Sequence, residues 1–274
     1  MNDEIILVTG STDGIGKQAA IELARPGAKV LVHGRSAERC QAVADEIRRR
    51  AGNSGADYFV ADFSSLRQVR EMAAQVKAKY DRLHVLVNNA GVFMRERRLT
   101  EDGLETTFAV NHLAPFLLTR LLLDLLIASA PARIVVVSST THQSAKVDFG
   151  NLQGEKRYDG FAAYALSKLG NVLFTYELAE RLKGTGVTVN CLHPGVIATK
   201  LLRAGWSGGG DGLGEGAATL VYLASSPEVA GVTGKYFVSK REAASSPAMH
   251  DEKLRKEFWN VSEKLVLKGS PIKS

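Results

Sequence analysis

Thr9-Gly10-Ser11-Thr12-Asp13-Gly14-Ile15-Gly16-Lys17 is the stretch from which the rest of the chain can be read. An apolar run, Ile5–Thr9, leads into it, and a segment with helical spacing, Gly14–Ala24, leads out. Three glycines therefore join a strand to a helix. Glycine permits a tight turn, close approach of a phosphate group and close packing of the helix. The free N–H groups and partial positive charge of a helix N-terminus attract such an anion. Gly10, Ser11, Thr12, Asp13, Gly14, Ile15 and Gly16 are thus candidate phosphate-binding residues; the bland alternative is a sharp turn with no ligand. A P-loop is excluded, because Ser11 stands where it needs glycine and Gln18 where it needs serine or threonine.

Outward from this turn, strand and helix alternate. Strands are expected at Ile5–Thr9, Lys29–His33, Asp57–Val60, Leu83–Val87, Arg133–Ser138 and Val187–Leu192, with a short one at Tyr236–Val238. Helices are expected at Gly14–Ala24, Ala37–Arg50, Leu66–Tyr80, about Glu101–Ser129, Tyr164–Lys183, near Glu215–Ala224 and from Asp251 to about Leu267. The strands are short, β-branched and apolar on both faces, as buried parallel strands are. Alternation of this kind implies right-handed crossovers. The expected fold is α/β: a single-domain Rossmann fold spanning residues 1–274, with a doubly wound, mostly parallel sheet of about seven strands and helices on both faces. Arg25-Pro26-Gly27 should end the first helix sharply. Ser207–Gly216, with six glycines in ten residues, reads as a mobile loop.

Composition excludes several other classes. Apolar residues make up 45% of the 274 and charged residues 23%, as in ordinary globular proteins. Cys40 and Cys191 are too few for a disulfide scaffold or a four-cysteine zinc site, and the six histidines lack metal-ligand spacing, so no metal is expected. Cys191-Leu192-His193 reads as strand packing. The net charge of +6 suits small anions. The basic runs Arg48-Arg49-Arg50 and Arg95, Arg97-Arg98 lack interleaved aromatics and read as solvated faces, not as a nucleic-acid surface. Met1–Glu4 runs straight into Ile5–Val8 with no signal-peptide pattern. Leu113–Ala128 falls short of a membrane span and contains Arg120 and Asp124, which can pair on one helix face. A reducing, cytoplasmic location with no membrane anchor is expected, and the glycosylation triplet Asn260-Val261-Ser262 is discounted accordingly. Gly205-Trp206-Ser207-Gly208-Gly209 has nucleophile-elbow spacing, but no strand leads into it.

The second strand ends at His33-Gly34-Arg35-Ser36. In dinucleotide-binding folds an acid near this point accepts hydrogen bonds from the ribose of NAD, and an arginine pairs with the 2′-phosphate of NADP. With Gly34 and Arg35 there, NADP(H) is preferred over NAD(H), with Arg35 and Ser36 as candidate contacts. The alternative is a solvated Arg35 at the helix cap.

Several motifs together resemble the short-chain dehydrogenase/reductase family over nearly the whole chain. The turn Thr9–Gly16 has its glycine spacing, and Asn88-Asn89-Ala90-Gly91 matches its motif after the fourth strand. Asp62 and Phe63 stand at its adenine-contacting position. Pro194-Gly195, followed by Val196 and Thr199, matches its nicotinamide turn. Asn111, Ser139, Tyr164 and Lys168 match its catalytic tetrad. Val110–Thr119, Asn151–Lys156 and Gly234–Phe237 resemble more narrowly the retinol dehydrogenase-like and WW-domain oxidoreductase-like branch. Ser139 and Tyr164 stand 25 residues apart, a wider interval than in many members, and that too resembles the branch. The resemblance implies cofactor contacts at Asn89, Ala90, Gly91, Tyr164 and Lys168.

Tyr164 and Lys168, four apart, share one helix face. A nearby ammonium favours phenolate and should lower the tyrosine pKa, so that Tyr164 serves as general acid or base. Ser139, at the end of a strand, can donate to the substrate oxygen; Ser138 competes for that role. The resemblance implies that Asn111 belongs to a proton relay through water to Lys168; otherwise it is a structural amide that distorts its helix. His142 reads as an exposed loop histidine that could face substrate. The expected function is hydride transfer between NADP(H) and a lipophilic carbonyl or alcohol: an aldehyde, ketone or retinoid-like molecule. The alternative is an NADP(H)-binding sensor with weak catalysis. Residues 199–216, with Leu201, Leu202 and Trp206, are the expected substrate lid, shorter than in membrane-bound members of the branch. The chain is expected to be a monomer, or a homodimer through the Leu113–Ala128 and Tyr164 helices.

Overall fold

The computed structural model describes residues 4–25, 27–51, 55–206 and 209–268. The strands are β1 (Glu4–Val8), β2 (Ala28–Gly34), β3 (Ala56–Val60), β4 (Val85–Asn88), β5 (Ala132–Val137), β6 (Val187–His193), β7 (Lys235–Val238) and β8 (Arg241–Glu242). They form one sheet in the order β3-β2-β1-β4-β5-β6-β7-β8, parallel except for β8. The helices are α1 (Gly14–Leu23), α2 (Ala37–Ala51), α3 (Leu66–Lys79), α4 (Thr106–Phe108), α5 (Ala114–Leu121), α6 (Leu123–Ala128), α7 (Gly160–Arg181), α8 (Lys200–Gly205), α9 (Leu213–Ser225) and α10 (Glu252–Lys268).

Alternate strand residues supply the two cores. Leu7, Leu31, Leu86, Ile134, Val136, Val189 and Cys191 face one side, where residues of α3, α5, α7 and α10 cover them. Val8, Val30, Val32, Val85, Val87, Val135 and Leu192 face the other, under α1, α2 and α9. Both sheet faces are thus buried, which is why these strands read as continuous apolar runs. Strand order reverses between β1 and β4, and in open α/β sheets ligands bind at such a switch point, beyond the carboxyl ends of the strands. There the turn after β1 meets Asn89-Ala90-Gly91 after β4: Thr9 N–H donates to the Val87 carbonyl at 2.9 Å, and Thr9 Oγ1 accepts from the N–H groups of Asn89 and Ala90.

Several expectations need correction. The sheet has an eighth strand, the two-residue antiparallel β8. The helix expected at about Glu101–Ser129 is several pieces. Leu99 bridges Glu105, whose carboxylate caps α4 by accepting from the N–H groups of Thr107 and Phe108. A π-helical turn, Ala109–Leu113, precedes α5, and Leu122 at φ −101° breaks the run before α6. Arg120 and Asp124 therefore do not pair: Arg120 bridges to Glu263 of α10, and Asp124 to Lys77 of α3 at 2.5 Å. The helix expected from Tyr164 starts at Gly160, where Asp159 accepts from the Ala162 N–H at 2.8 Å. The glycine-rich segment is not a free loop where it is described. Asp211 pairs with Val196 and Ala198, and a Cβ on Gly210 would stand 2.6 Å from the Val196 carbonyl oxygen. Gly214 and Gly216 lie inside α9. The expectations for Pro26 and for Ser207-Gly208 lie outside the described residues. Among the described residues, no helix is long and apolar enough to cross a membrane.

Candidate active site

The turn after β1 depends on its glycines. Gly10 has φ +64°, and a Cβ there would lie 2.8 Å from Ala90 Cα; on Gly16 it would lie 2.3 Å from Asn89 Nδ2. Asn89 Nδ2 donates to the Thr9 carbonyl at 2.8 Å, which locks the β4 motif onto the turn. Gly14, at φ +57°, has open space around its missing Cβ, with only Thr199 Cγ2 nearby at 3.5 Å. A cradle therefore lies above Gly14 at the start of α1, roofed by Thr199, as a pyrophosphate requires. Ser11 is absorbed by structure: its hydroxyl donates to the Val8 carbonyl and accepts from the His33 N–H. Thr12 packs under Gly34, and Ile15 under Gly216. Asp13 caps α1 through the Gly14 N–H, and its carboxylate also meets Lys200 at 2.6 Å and Arg39 at 3.1 Å. These partners, Lys200 foremost, hold the Asp13 carboxyl below its usual range against the opposing effect of burial. Sequence reading identified neither cation.

At the adenine end, Arg35 extends from the end of β2 with its side chain 72% exposed, and its Nη1 lies 4.0 Å from Asp62 Oδ2. Ser36 accepts from the Arg39 N–H at 3.3 Å at the start of α2. Phe63 stacks on His33 at 4.2 Å between ring centroids. His33 is buried, its Nδ1 accepts from the Gly10 N–H, and burial pushes its pKa down to about 4. A neutral imidazole thus supports the glycine turn from below. The residues present fit a nicotinamide dinucleotide: a phosphate cradle at the switch point, with an arginine and a carboxylate at the adenine end.

The candidate tetrad gathers beyond β4, β5 and β6. Asn111 sits in the π-helical turn, a deviation often found at functional sites. Its amide accepts from the Val92 N–H at 2.7 Å and donates to the Val92 carbonyl and to Ser167 Oγ. A Cβ on Gly91 would stand 3.4 Å from Asn111 Oδ1 and 3.7 Å from Lys168 Nζ, so both border the space above Gly91. Lys168 is buried, and Nζ donates to the Val137 carbonyl at 3.1 Å. Burial pushes the Lys168 pKa down to about 8, which leaves an ammonium at neutral pH. Its Nζ lies 5.5 Å from the centroid of the Tyr164 ring. Ser138 and Ser139 are distinguished: the Ser138 hydroxyl donates to the Lys168 carbonyl at 2.8 Å, whereas Ser139 hydrogen-bonds the Tyr164 phenol. The expected lowering of the Tyr164 pKa is not found. Burial pushes it well above the usual tyrosine range, and the Ser139 bond offsets only part of that.

Two aromatic rings from other parts of the chain pack on Tyr164, and a third, Phe161 of α7, packs on both of them. Phe93 and Trp206 lie 5.9 and 5.4 Å from it between centroids, and Phe161 lies 5.3 Å from Trp206. Trp206 caps α8, which buries no residue of its own. Its Thr199 end is tied to the glycine turn through Lys200, and its far end through Arg95 Nε, which donates to the Ala204 carbonyl at 2.8 Å. Arg95 is therefore more than a solvated charge. Pro194-Gly195 turns at φ +97° after β6, and Val196 beyond it is exposed. His142 is not an exposed loop histidine but is fully buried. Cys191 is packed in the strand as expected.

The short chain dehydrogenase family model matches residues 4–210. Retinol dehydrogenase 14 of Homo sapiens is 41% identical over 293 residues, covering 97% of this chain and 87% of its own length. Retinol dehydrogenase 13 of Homo sapiens is 43% identical over 277 residues, covering 95% and 84%. Among solved structures, an uncharacterized protein from Mycobacterium paratuberculosis superposes with a TM-score of 0.81 at 29% identity, covering 99% of this chain and 96% of that one. A short chain dehydrogenase from Escherichia coli CFT073 complexed with NADPH gives 0.71 at 27%, covering 88% and 98%. The chain belongs to the short-chain dehydrogenase family and is an oxidoreductase of that family, with retinol dehydrogenases among its relatives.

Proposed function

We propose that this protein is an NADP(H)-dependent reductase of lipophilic carbonyl compounds, such as aldehydes, ketones or retinoid-like molecules, working reversibly as an alcohol dehydrogenase. The observation that carries the reading is the convergence of Ser139, Tyr164 and Lys168, with Phe93 and Trp206 packed against the Tyr164 ring. Bound NADP(H) supplies or accepts the hydride. The buried phenol of Tyr164 holds its proton at neutral pH and gives it to the carbonyl oxygen, which suits reduction. Ser139 donates a hydrogen bond to the same oxygen as negative charge develops. Lys168, fixed by Val137, keeps a positive charge beside the phenol. Asn111 holds Val92 and Ser167 in register beneath them. The aromatic rings exclude water and favour an apolar substrate. Residues 199–216 act as the lid, with Trp206 as the part that reaches Tyr164. The exposed Arg35 guanidinium supports a preference for the 2′-phosphate.

The test compares NADPH and NADH consumption over a panel of aldehydes, ketones, quinones and retinoids, with Arg35→Asp alongside. Turnover with NADPH, and an Arg35→Asp variant that shifts towards NADH, is the expected result. Tight NADPH binding without turnover across the panel would favour a cofactor sensor. We propose a reducing, cytoplasmic setting as well, supported by the unpaired Cys40 and Cys191 and testable by cell fractionation.

A further inference from the structure

The end of β5 is fixed at each residue that approaches the reacting atoms. The Val137 carbonyl accepts from Lys168 Nζ and from Asn171 Nδ2, both at 3.1 Å. The Ser138 N–H donates to the Leu192 carbonyl at 2.7 Å, and its hydroxyl to the Lys168 carbonyl. Ser139 is held locally by the Thr141 N–H, which donates to its hydroxyl at 3.3 Å, and by the His142 N–H, which donates to its carbonyl at 3.1 Å; the His142 ring adds the shortest contact, with Nδ1 2.6 Å from that carbonyl oxygen. The other ring nitrogen, Nε2, is 3.0 Å from the backbone nitrogen of Ser246, which can only donate. Nε2 is therefore an acceptor, and Nδ1 carries the proton that it donates to Ser139. The ring is fully buried and packs at 4.8 Å on Tyr236.

We propose that His142 is a positioning residue: it sets the Ser139 hydroxyl against Tyr164 and links that pair to the C-terminal segment through Ser246. This rests on the catalytic reading of Ser139 and Tyr164 given above. Two separate bonds do two separate jobs. Nδ1–H holds the Ser139 backbone, from which the hydroxyl projects. Nε2 anchors the Ser246 N–H, and Ser246 in turn caps the 3₁₀ turn Pro247–His250 ahead of α10. A residue that only filled space would not divide in this way.

The two ring nitrogens can be replaced one at a time. His142→Asn places an amide donor near the position of Nδ1 and removes the Ser246 acceptor. His142→Gln reaches the Nε2 position with an acceptor and removes the Ser139 donor. His142→Phe removes both. The measurements are kcat, NADPH affinity by fluorescence titration, and hydrogen exchange of the Ser246 amide. His142→Gln and His142→Phe should lose kcat by about tenfold or more, while NADPH affinity stays within about threefold. His142→Asn should keep most of kcat yet exchange the Ser246 amide faster. Loss of kcat in all three variants in proportion to loss of melting temperature, or wild-type kcat in His142→Phe, overturns the proposal. Tyr164→Phe run beside them separates the two readings. If it keeps full turnover, the catalytic reading fails and takes the positioning role with it. If it is inactive while His142→Phe is unaffected, the positioning role alone fails.

Discussion

A phenol with 6% of its surface exposed keeps its proton to high pH, because the anion would lose its water without equal compensation. At Tyr164 burial outweighs the Ser139 hydrogen bond, so the phenol is protonated at neutral pH, as the proposed role of acid requires. Tyr164→Phe should lower turnover by about 10²–10⁴-fold while leaving NADPH affinity nearly unchanged, as read by fluorescence titration. Lys168 bears on the pH profile from the other side. Its pKa of about 8 means that the ammonium is lost as pH rises through that value, so kcat/KM should fall on the alkaline side near there. Lys168→Arg keeps the charge and should flatten that limb; a wild-type profile with no such limb would contradict the role given to the ammonium. Tyr164 and Lys168 were legible in the sequence because a spacing of four on a helix shows at once that they share a face. His142 was not, because a histidine five residues past a strand looks the same whether the loop turns outward or under the sheet. Phe93, Phe161 and Trp206 were not legible as a group, because nothing local relates three segments so far apart in sequence.

Elements differ in how much of their placement is written locally. β1, β2, β4 and β5 were readable because burial on both faces demands continuous apolar residues. The break between α5 and α6 was not, because apolar residues continue across Leu122 and only its backbone departs from the helix. The glycines before α9 were visible as a cluster. Their use was not, because it depends on how near Gly210 comes to Val196. In the proposed function the element with most bearing on specificity is α8, because it reaches Tyr164 through Trp206. Trp206→Ala should raise KM for bulky aromatic or polyene carbonyls by about tenfold and change KM for small aliphatic aldehydes much less. Equal effects on both sets in steady-state kinetics would show that Trp206 does not touch the substrate.

At the scale of the molecule, buried neutral histidines tie stability to pH. Burial pushes His33 and His112 down to about 4. In the unfolded chain they titrate near their ordinary value of ~6.5. Between those values the unfolded state binds more protons, so stability is lost as pH falls from ~6.5 towards ~4, by up to ~3 kcal/mol per histidine. Urea unfolding at neutral pH and near the lower value should reveal that loss, and His112→Asn should reduce it; unchanged stability across the window would mean that these rings are not held neutral. The loss at His33 reaches the nucleotide turn, because protonating Nδ1 removes the acceptor of the Gly10 N–H. The mostly parallel sheet with helices on both faces followed from the alternation of strand and helix. The polar residues that brace them did not, since the sequence does not show which histidine a distant backbone N–H will meet.

The slight helix α8 has a consequence for survival in the cell. It buries none of its six residues, and it carries Lys200 and Arg203 on an exposed surface, so it offers a protease with trypsin-like preference two adjoining cuts. Its lifetime then depends on how firmly Asp13, Arg95 and the rings around Trp206 hold it down. Protein starved of cofactor should be nicked there first, and protein saturated with NADPH should last longer, so digestion by trace trypsin becomes a clock for cofactor supply.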